Sequence, residues 1–503
     1  MALTRKHLKE LRRIVGERGV RADANARSAY ESDGFMLQSA RAEVVVLPRT
    51  TAEAAASVRV LRDAGLVVVP RGAGTGLSGG ARPAAGGAIL GTARMREVLE
   101  VNETDRYARV QAGVVNVHLT SACADKGLFY APDPSSQTAC TIGGNVGNNS
   151  GGPHGFKYGS TTRHVRGLTL VDSDGNVSEL GGPLADPVGV LDLVGPVVGS
   201  EGMLGLVTEV VVNLVPKPDA VETLLCLFES LDACCDAVSE MIAQRLEPSA
   251  IEILDRLTIE AVEASVLRAG YPDNAEAVML VEVEGGAAEV EATREDVLAI
   301  ARSFGAFDAR STSDAGERKR LWAGRKGAFG AMGRIAPDLY VADVVAPRTR
   351  LREIVATATE ACRERDLKLS NVFHAGDGNL HPNISYDRRD SDEVKRVLEA
   401  GRIIMEACVA AGGSLTGEHG VGVEKQDEMC LVFRDEDLEA MHALRRAFDP
   451  SGFWNPGKML PVRGCREIHT PPLPEDMSAG DTGARDAGAR DADAAEAAGA
   501  SAP

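Results

Sequence analysis

Two histidines flank an Asp-Gly pair at residues 372–384, VFHAGDGNLHPNI. A two-residue type I′ loop at Asp377 and Gly378 would fix the strand pairing by counting. Gly376 then faces Asn379, Ala375 faces Leu380, and His374 faces His381. This pairing predicts both imidazoles on one side of a ribbon, Cβ atoms roughly 5 Å apart, with Val372 and Asn383 sharing that side. Two imidazoles held so lack only a carboxylate or a third imidazole to make a divalent metal site. The stretch GGSLTGEHGVG at 412–422 offers Glu418 as the third ligand and leaves His419 free to move a proton. A metal with an open position beside a histidine base is suited to ionising a substrate hydroxyl.

Glycine loops form the second group. Residues 69–81 read VPRGAGTGLSGGA, in which Gly74, Gly76 and Gly79 match G-x-G-x-x-G after a strand-like run. A dinucleotide fingerprint of that form must open a helix. Here RPAAGGAILGT follows, with Pro83 and two further glycines before another strand, so that reading fails. What remains is a strand-to-strand loop of backbone N–H donors beside Arg71, Thr75 and Ser78, suited to a diphosphate. Glycine and short polar residues recur at 132–163 and again in GSEGMLGLVTEV at 199–210. Three such loops imply an extended cofactor gripped at several points.

The elements that would carry these residues change character along the chain. From about 41 to 216, short β-branched runs such as AEVVVLP, GLVVVP, AILGT and ARVQAG predict strands, with a helix at 51–65. From about 220 to 450, longer amphipathic helices alternate with strands such as AVMLVEVEG and LYVADVVAP. This pattern predicts an α+β domain with a sheet packed on helices. Pro216-Lys217-Pro218 suggests the boundary. The expected organisation is a helical segment at 1–40, a cofactor-binding domain at 41–217, a substrate or cap domain at 218–455 and a short segment at 456–465. An Ala/Gly-rich tail at 466–503, too poor in bulky apolar residues to fold, would complete it.

Composition narrows the function. A formal charge of −18 over 503 residues argues against nucleic acid and against an electrostatic membrane anchor. No apolar run is long enough to span a bilayer, and the amino terminus lacks the pattern of a signal peptide, so a cytoplasmic location is expected. Nine cysteines occur without a closely spaced run, which implies neither a disulfide framework nor an iron–sulfur cluster.

Taken together, PRGAGTGLSGGA, YAPDPSSQTACTIGGNVGNNSGGPHGFKYG, GSEGMLGLVTEV, LWAGRKGAFGAMGRIAPD, NVFHAGDGNLHPNI, GGSLTGEHGVGVEK and FDPSGFWNPGK resemble the FAD-linked 2-hydroxy-acid dehydrogenases. These belong to the vanillyl-alcohol-oxidase/PCMH-type flavoproteins. Within them the resemblance is to the catalytic flavoprotein branch of bacterial glycolate oxidase, related to D-lactate and D-2-hydroxyglutarate dehydrogenases. It runs from about Tyr30 to Pro461. The resemblance implies a PCMH-type FAD-binding domain of two α+β subdomains and an α+β cap, with the 456–465 segment returning to the flavin.

The resemblance also distributes roles. Arg71, Gly72, Gly74, Thr75, Gly76 and Ser78 would hold the FAD diphosphate. Pro132, Asp133, Ser135, Ser136, Gly143, Gly144, Asn145, Gly151, Tyr158 and Gly159 would line the flavin and its ribityl chain. Glu201, Gly202, Leu206, Val207 and Asn455 would complete the cofactor contacts. Leu77 stands where relatives with covalent flavin often carry a histidine, so non-covalent FAD is expected. His374, His381 and Glu418 would bind zinc or a similar ion, and His419 would act as general base while hydride passes to flavin N5. Arg325 would meet the substrate carboxylate, with Asn383 and Lys326 as further substrate contacts. The implied reaction turns glycolate or D-lactate into the 2-oxo acid; D-2-hydroxyglutarate oxidation and a non-catalytic FAD-binding accessory role are the alternatives. Electrons would leave through a flavin-domain partner and an iron–sulfur partner, which could also tether the protein to a membrane.

Overall fold

The computed structural model describes residues 3–183 and 191–461. The tail expected at 466–503, and the last four residues of the 456–465 segment, lie outside the described residues.

Valine runs build the first sheet. Val44–Val46 is buried throughout and pairs in parallel with Ala88–Gly91, which pairs in parallel with Val68–Arg71 on its other side. Continuous β-branched burial is what a strand covered on both faces requires. Helices Arg5–Val15 and Thr51–Asp63 pack Leu11, Val15, Ala54, Val58 and Leu61 against it. Thr50 caps the second helix by accepting from the Glu53 N–H. The chain returns here late: Val68 exchanges backbone hydrogen bonds with Phe453 and Asn455 around a buried Trp454. Lys458, in the segment that follows, donates to the carbonyls of Gly80 and Arg82.

A second, five-stranded antiparallel sheet follows in the order Val98–Asn102, Tyr107–Gln111, Leu206–Asn213, Val165–Val171, Val177–Gly181. Between these strands lies a departure from the sequence expectation. Within the stretch read as one glycine-rich loop, Ile142–Asn148 is a helix, capped where Thr141 Oγ1 accepts from the Gly144 N–H.

The third sheet has nine strands, and its central strands alternate between two apolar layers. Ile251 and Ile253 face the layer of helices Leu231–Ala243, Ala287–Ser303, Leu351–Glu364 and Ser391–Ala410. Leu254, Val278, Leu280 and Val372 face helices Arg256–Glu263 and Ala315–Met332. By the period of two, Glu252 and Glu282 fall on this second face, as does His374. Carboxylates therefore interrupt an otherwise apolar layer under helix Ala315–Met332.

The hairpin differs from the expected one. Strand Lys368–His374 pairs Ser370 with Asn383, Asn371 with Pro382 and His374 with Asn379, leaving Ala375, Gly376, Asp377 and Gly378 as a four-residue turn. Gly378 has φ +79° and Asp377 is not in the left-handed region, so the type I′ loop, which needs both residues there, is absent. His374 and His381 are diagonal neighbours and do not face each other directly. The register is displaced by two residues, and an even displacement keeps every side chain on its face. LYVADVVAP, expected as one strand, is broken into Asp338–Val341 and Val344–Val345, with Asp343 in the gap.

Candidate active site

His374 and His381 meet edge to face, with ring centroids 5.2 Å apart. Glu418 completes the group: its Oε1 lies 3.1 Å from His374 Nε2 and 3.5 Å from His381 Nε2. Each imidazole turns its other nitrogen to a buried carboxylate. His374 Nδ1 is 2.6 Å from Glu252 Oε1, and His381 Nδ1 is 3.6 Å from Asp343 Oδ1. Glu252 on Nδ1 orients the His374 ring, whereas Asp343 stands beyond hydrogen-bond reach of His381 Nδ1; the two Nε2 atoms and a Glu418 oxygen converge on one point. Two imidazole nitrogens and one carboxylate form a donor set that suits a divalent cation with open positions.

Asp343 is close enough to His381 and His419 to form a second triad of ligand type. Its lone pairs are committed elsewhere. It accepts from Thr416 Oγ1 at 2.6 Å, from the N–H groups of Gly417, Glu418 and His419, and from Lys425 Nζ at 3.3 Å. Its role is to shape the turn that presents Glu418 and His419. Although burial opposes ionisation, His419, Lys425 and His381 hold the Asp343 carboxyl well below its usual value.

His419 stacks flat on His381, centroids 4.8 Å apart and planes within 4°. Its Nδ1 is buried and has no hydrogen-bond partner. Burial chiefly lowers its pKa to about 4, so the ring is neutral near pH 7. Burial also pulls on His374, but there Glu252 and Glu418 outweigh it and raise the value to about 10. Against the cost of burial, His374 and His381 keep Glu418 well below its usual value.

A cavity of about 380 Å³ joins this cluster to the glycine loops. Of the residues expected to hold FAD, Arg71, Gly72, Gly74, Thr75, Gly76, Ser78, Ser135, Ser136, Gly143, Gly144, Asn145, Glu201, Gly202, Leu206 and Val207 line it. His374, His381, Glu418, His419, Lys326 and Phe329 close its far end. The walls suit a large flat ligand with a diphosphate. Gly74 has φ +75°, and a Cβ there would run into the Arg71 guanidinium, so the loop must be bare at that point.

Other residues expected at the cofactor or substrate engage the protein itself. Pro132 and Asp133 are off the cavity wall: Pro132 accepts from Asn116 Nδ2, and Asp133 binds His154 and Lys326. Gly151, Tyr158 and Gly159 are also outside it; the Gly151 N–H donates to Glu418 Oε2, and the Tyr158 hydroxyl donates to Glu284. Asn455 is fully buried and donates to the carbonyls of Glu201 and Gly80. Asn383 is fully buried as well, with its Nδ2 donating to the His381 carbonyl. Arg325 is 0 % exposed and meets a protein carboxylate, with Nε 2.5 Å from Glu252 Oε2. Its Nη1 is buried and has no hydrogen-bond partner.

Some lining residues work through their side chains on the protein itself. Arg71 Nη1 donates to the Ala81 carbonyl and so folds its own loop back. Ser78 Oγ and Asn148 Nδ2 both donate to the His419 carbonyl. Glu201 accepts from the N–H groups of Val421 and Gly422. The loop carrying Glu418 and His419 is thereby held by groups from the glycine-loop half of the molecule.

Glu252, Asp343, His154, Glu282 and Lys425 were missed from sequence. For three of them a signal existed: Glu252 in AIEILD, Glu282 in VMLVEVEG and Asp343 in YVADVVAP each stand between two apolar neighbours in a strand-like run. An acid so flanked is buried against a partner or breaks the strand.

Comparison with known proteins then places the chain. Residues 42–181 match the family model described as FAD binding domain, and 217–459 match FAD linked oxidases, C-terminal domain. Glycolate oxidase subunit GlcD of Escherichia coli K12 is 44% identical over 440 residues, covering 87% of this chain and 88% of that protein. D-lactate dehydrogenase of Anaerostipes hadrus is 29% identical over 464 residues, covering 91% and 98%. Among solved structures, p-cresol methylhydroxylase with substrate bound aligns with TM-score 0.76 at 16% identity, covering 91% of this chain and 97% of that one. This last likeness shows a shared PCMH-type fold.

Proposed function

We infer the function from one premise: the chain belongs to the FAD-linked oxidases, in the group that contains glycolate oxidase subunit GlcD. It oxidises a small 2-hydroxy acid, glycolate or D-lactate, to the 2-oxo acid. The observation that carries this reading is the single cavity with glycine loops at one end and the His374–His381–Glu418 cluster beside His419 at the other. FAD supplies the two-electron acceptor when bound along the loops of 70–81, 134–148 and 197–207. A divalent cation, of which zinc is the leading candidate, would be held by His374, His381 and Glu418 and would supply Lewis-acid polarisation of the substrate oxygens.

The chain's own residues do the rest. Glu252 fixes the His374 orientation from behind, and Asp343 shapes the turn that presents Glu418 and His419. His419, stacked on His381 with an unpartnered ring nitrogen, takes the proton of the substrate hydroxyl. Phe329, whose ring centroid is 6.3 Å from that of His381, keeps that side of the cavity apolar. FAD is held without a covalent bond, since the loop of 71–81 has no histidine. Electrons pass onward to a separate flavin or iron–sulfur protein, a reading supported by cysteines too widely spaced to ligate a cluster. Among the described residues no helix is long and apolar enough to cross a membrane.

Dye-linked turnover of glycolate, D-lactate, L-lactate and D-2-hydroxyglutarate by FAD-loaded protein tests the substrate. Glycolate or D-lactate should support the highest kcat/KM. Turnover confined to 2-hydroxyglutarate would transfer the assignment to that acid.

A further inference from the structure

The three groups of the cluster rest on two different supports. His374 ends a strand of the nine-stranded sheet and His381 sits between two strands of the same hairpin. Glu418 instead stands in the segment 416–424, which is neither helix nor strand. Its carboxylate is divided: Oε1 faces the two Nε2 atoms, and Oε2 accepts from the Gly151 N–H at 3.0 Å. The cap grips the start of the segment through Asp343. The rest of it is gripped from the glycine-loop half.

Ser78 makes the most of these contacts. It is buried at the end of the loop that carries the convergent N–H groups. Its hydroxyl donates to the His419 carbonyl at 3.0 Å, and its own carbonyl accepts from the N–H groups of Val423 at 2.9 Å and Glu424 at 3.3 Å. Asn148, the last residue of helix Ile142–Asn148, donates its Nδ2 to the same His419 carbonyl at 2.9 Å. Glu201 accepts from Val421 at 2.7 Å and from Gly422 at 2.9 Å. A Cβ on Gly422 would run into the Ser78 carbonyl oxygen, so the two loops touch only because that position is bare. Ser78, Asn148 and Glu201 all line the cavity, and each therefore meets the cofactor's space on one side and the segment on the other.

We propose that FAD and the divalent cation bind cooperatively, and that Ser78 is the positioning residue that couples them. This rests on the reading of His374, His381 and Glu418 as a cation site. The loop of 71–81 has glycine at 72, 74, 76, 79 and 80, which leaves it much freedom to lose. A diphosphate seated on its N–H groups restrains the loop, and Ser78 with it. Ser78 and Asn148 then hold the backbone at His419, and the Gly151 N–H holds the Glu418 carboxylate where the two imidazoles need it. Whichever ligand binds second finds the segment already ordered and loses less entropy. The effect is reciprocal, so each ligand tightens the other by the same factor.

The test is the FAD affinity of the full-length protein, read by flavin fluorescence in equilibrium dialysis, with saturating zinc and again with the zinc removed by a chelator. Wild type should bind FAD about tenfold more tightly with zinc. In Ser78→Ala that advantage should nearly vanish. In Asn148→Ala, which loses the other donor to the same carbonyl, it should fall part of the way. The ratio compares two states of one variant, so a uniform loss of stability or of FAD affinity leaves it where it was. Zinc-loaded wild type that binds FAD no more tightly than zinc-free wild type would overturn the coupling. The full advantage kept in Ser78→Ala would overturn the role of Ser78; where that variant does not fold, the full advantage kept in Asn148→Ala does the same. Wild type that binds no zinc, or binds it no better than His374→Ala, would instead remove the cation reading itself, and the coupling with it.

Discussion

At the scale of single residues, the site depends on carboxylates that face the backs of the imidazoles. Glu252 is wholly buried and divides itself between His374 Nδ1 and Arg325, so its loss frees the ring to turn and leaves a guanidinium unpaired. Glu252→Gln should lower zinc affinity about 10- to 100-fold, measured by competition with a chromophoric chelator; affinity equal to wild type would show that the ring needs no such anchor. His419→Asn should slow flavin reduction by about 10²- to 10⁴-fold while FAD and metal content stay as in wild type. A loss smaller than tenfold in a rapid-mixing experiment would remove His419 as the base. Legibility at this scale was uneven for a physical reason. Glu418 and His419 sit in a glycine-flanked polar run that sequence displays openly, whereas Glu252 and Asp343 acquire their meaning only from what the fold places opposite them. The pairing of Arg325 Nε with the buried Glu252 was hidden for the same reason, since the two stand 73 positions apart in the chain.

At the scale of elements, the hairpin shows how a wrong register can preserve a right face. A two-residue turn at Asp377 and Gly378 was expected, and a four-residue turn was found; the displacement of two residues exchanged direct pairing for diagonal pairing and kept both imidazoles together. A displacement of one would have separated them. Helix Ile142–Asn148 was invisible because its sequence, IGGNVGN, has the low helix propensity of a loop and is fixed by the Thr141 cap and by burial of Ile142 and Val146. The link between the halves, His154 between Asp133 and Glu282, carries a pH signature. Burial pulls the imidazole down, but the two carboxylates outweigh it and hold it well above its ordinary value. A raised folded value means stabilisation that is complete below about pH 6.5, the unfolded value, and is lost as pH rises through the folded one. The difference in Tm between wild type and His154→Gln should therefore shrink steadily above about pH 6.5 in thermal denaturation. A difference that grew with pH would contradict the paired imidazolium.

At the scale of the whole molecule, the glycine loops and the His374–His381–Glu418 cluster belong to different sheets yet share one cavity. What binds them is a short list of cross-links: Ser78 and Asn148 on the His419 carbonyl, Gly151 on Glu418, Glu201 on the backbone of Val421 and Gly422, and the late return of 453–455 to the first sheet. Periodicity and β-branched content made the α+β class and most strands readable, because these depend on local pattern. The cross-links were not readable, since each joins residues far apart in the chain, such as the 341 positions between Ser78 and His419. The arrangement makes one demand above others: a 2-hydroxy acid entering the cavity must pass two electrons to the flavin without any partner present. An anaerobic titration of the FAD-loaded, metal-replete protein with glycolate and D-lactate reads this directly. The account predicts that one of them bleaches the oxidised flavin band with one molecule per flavin. A fully loaded sample whose flavin stays oxidised with every 2-hydroxy acid would contradict it.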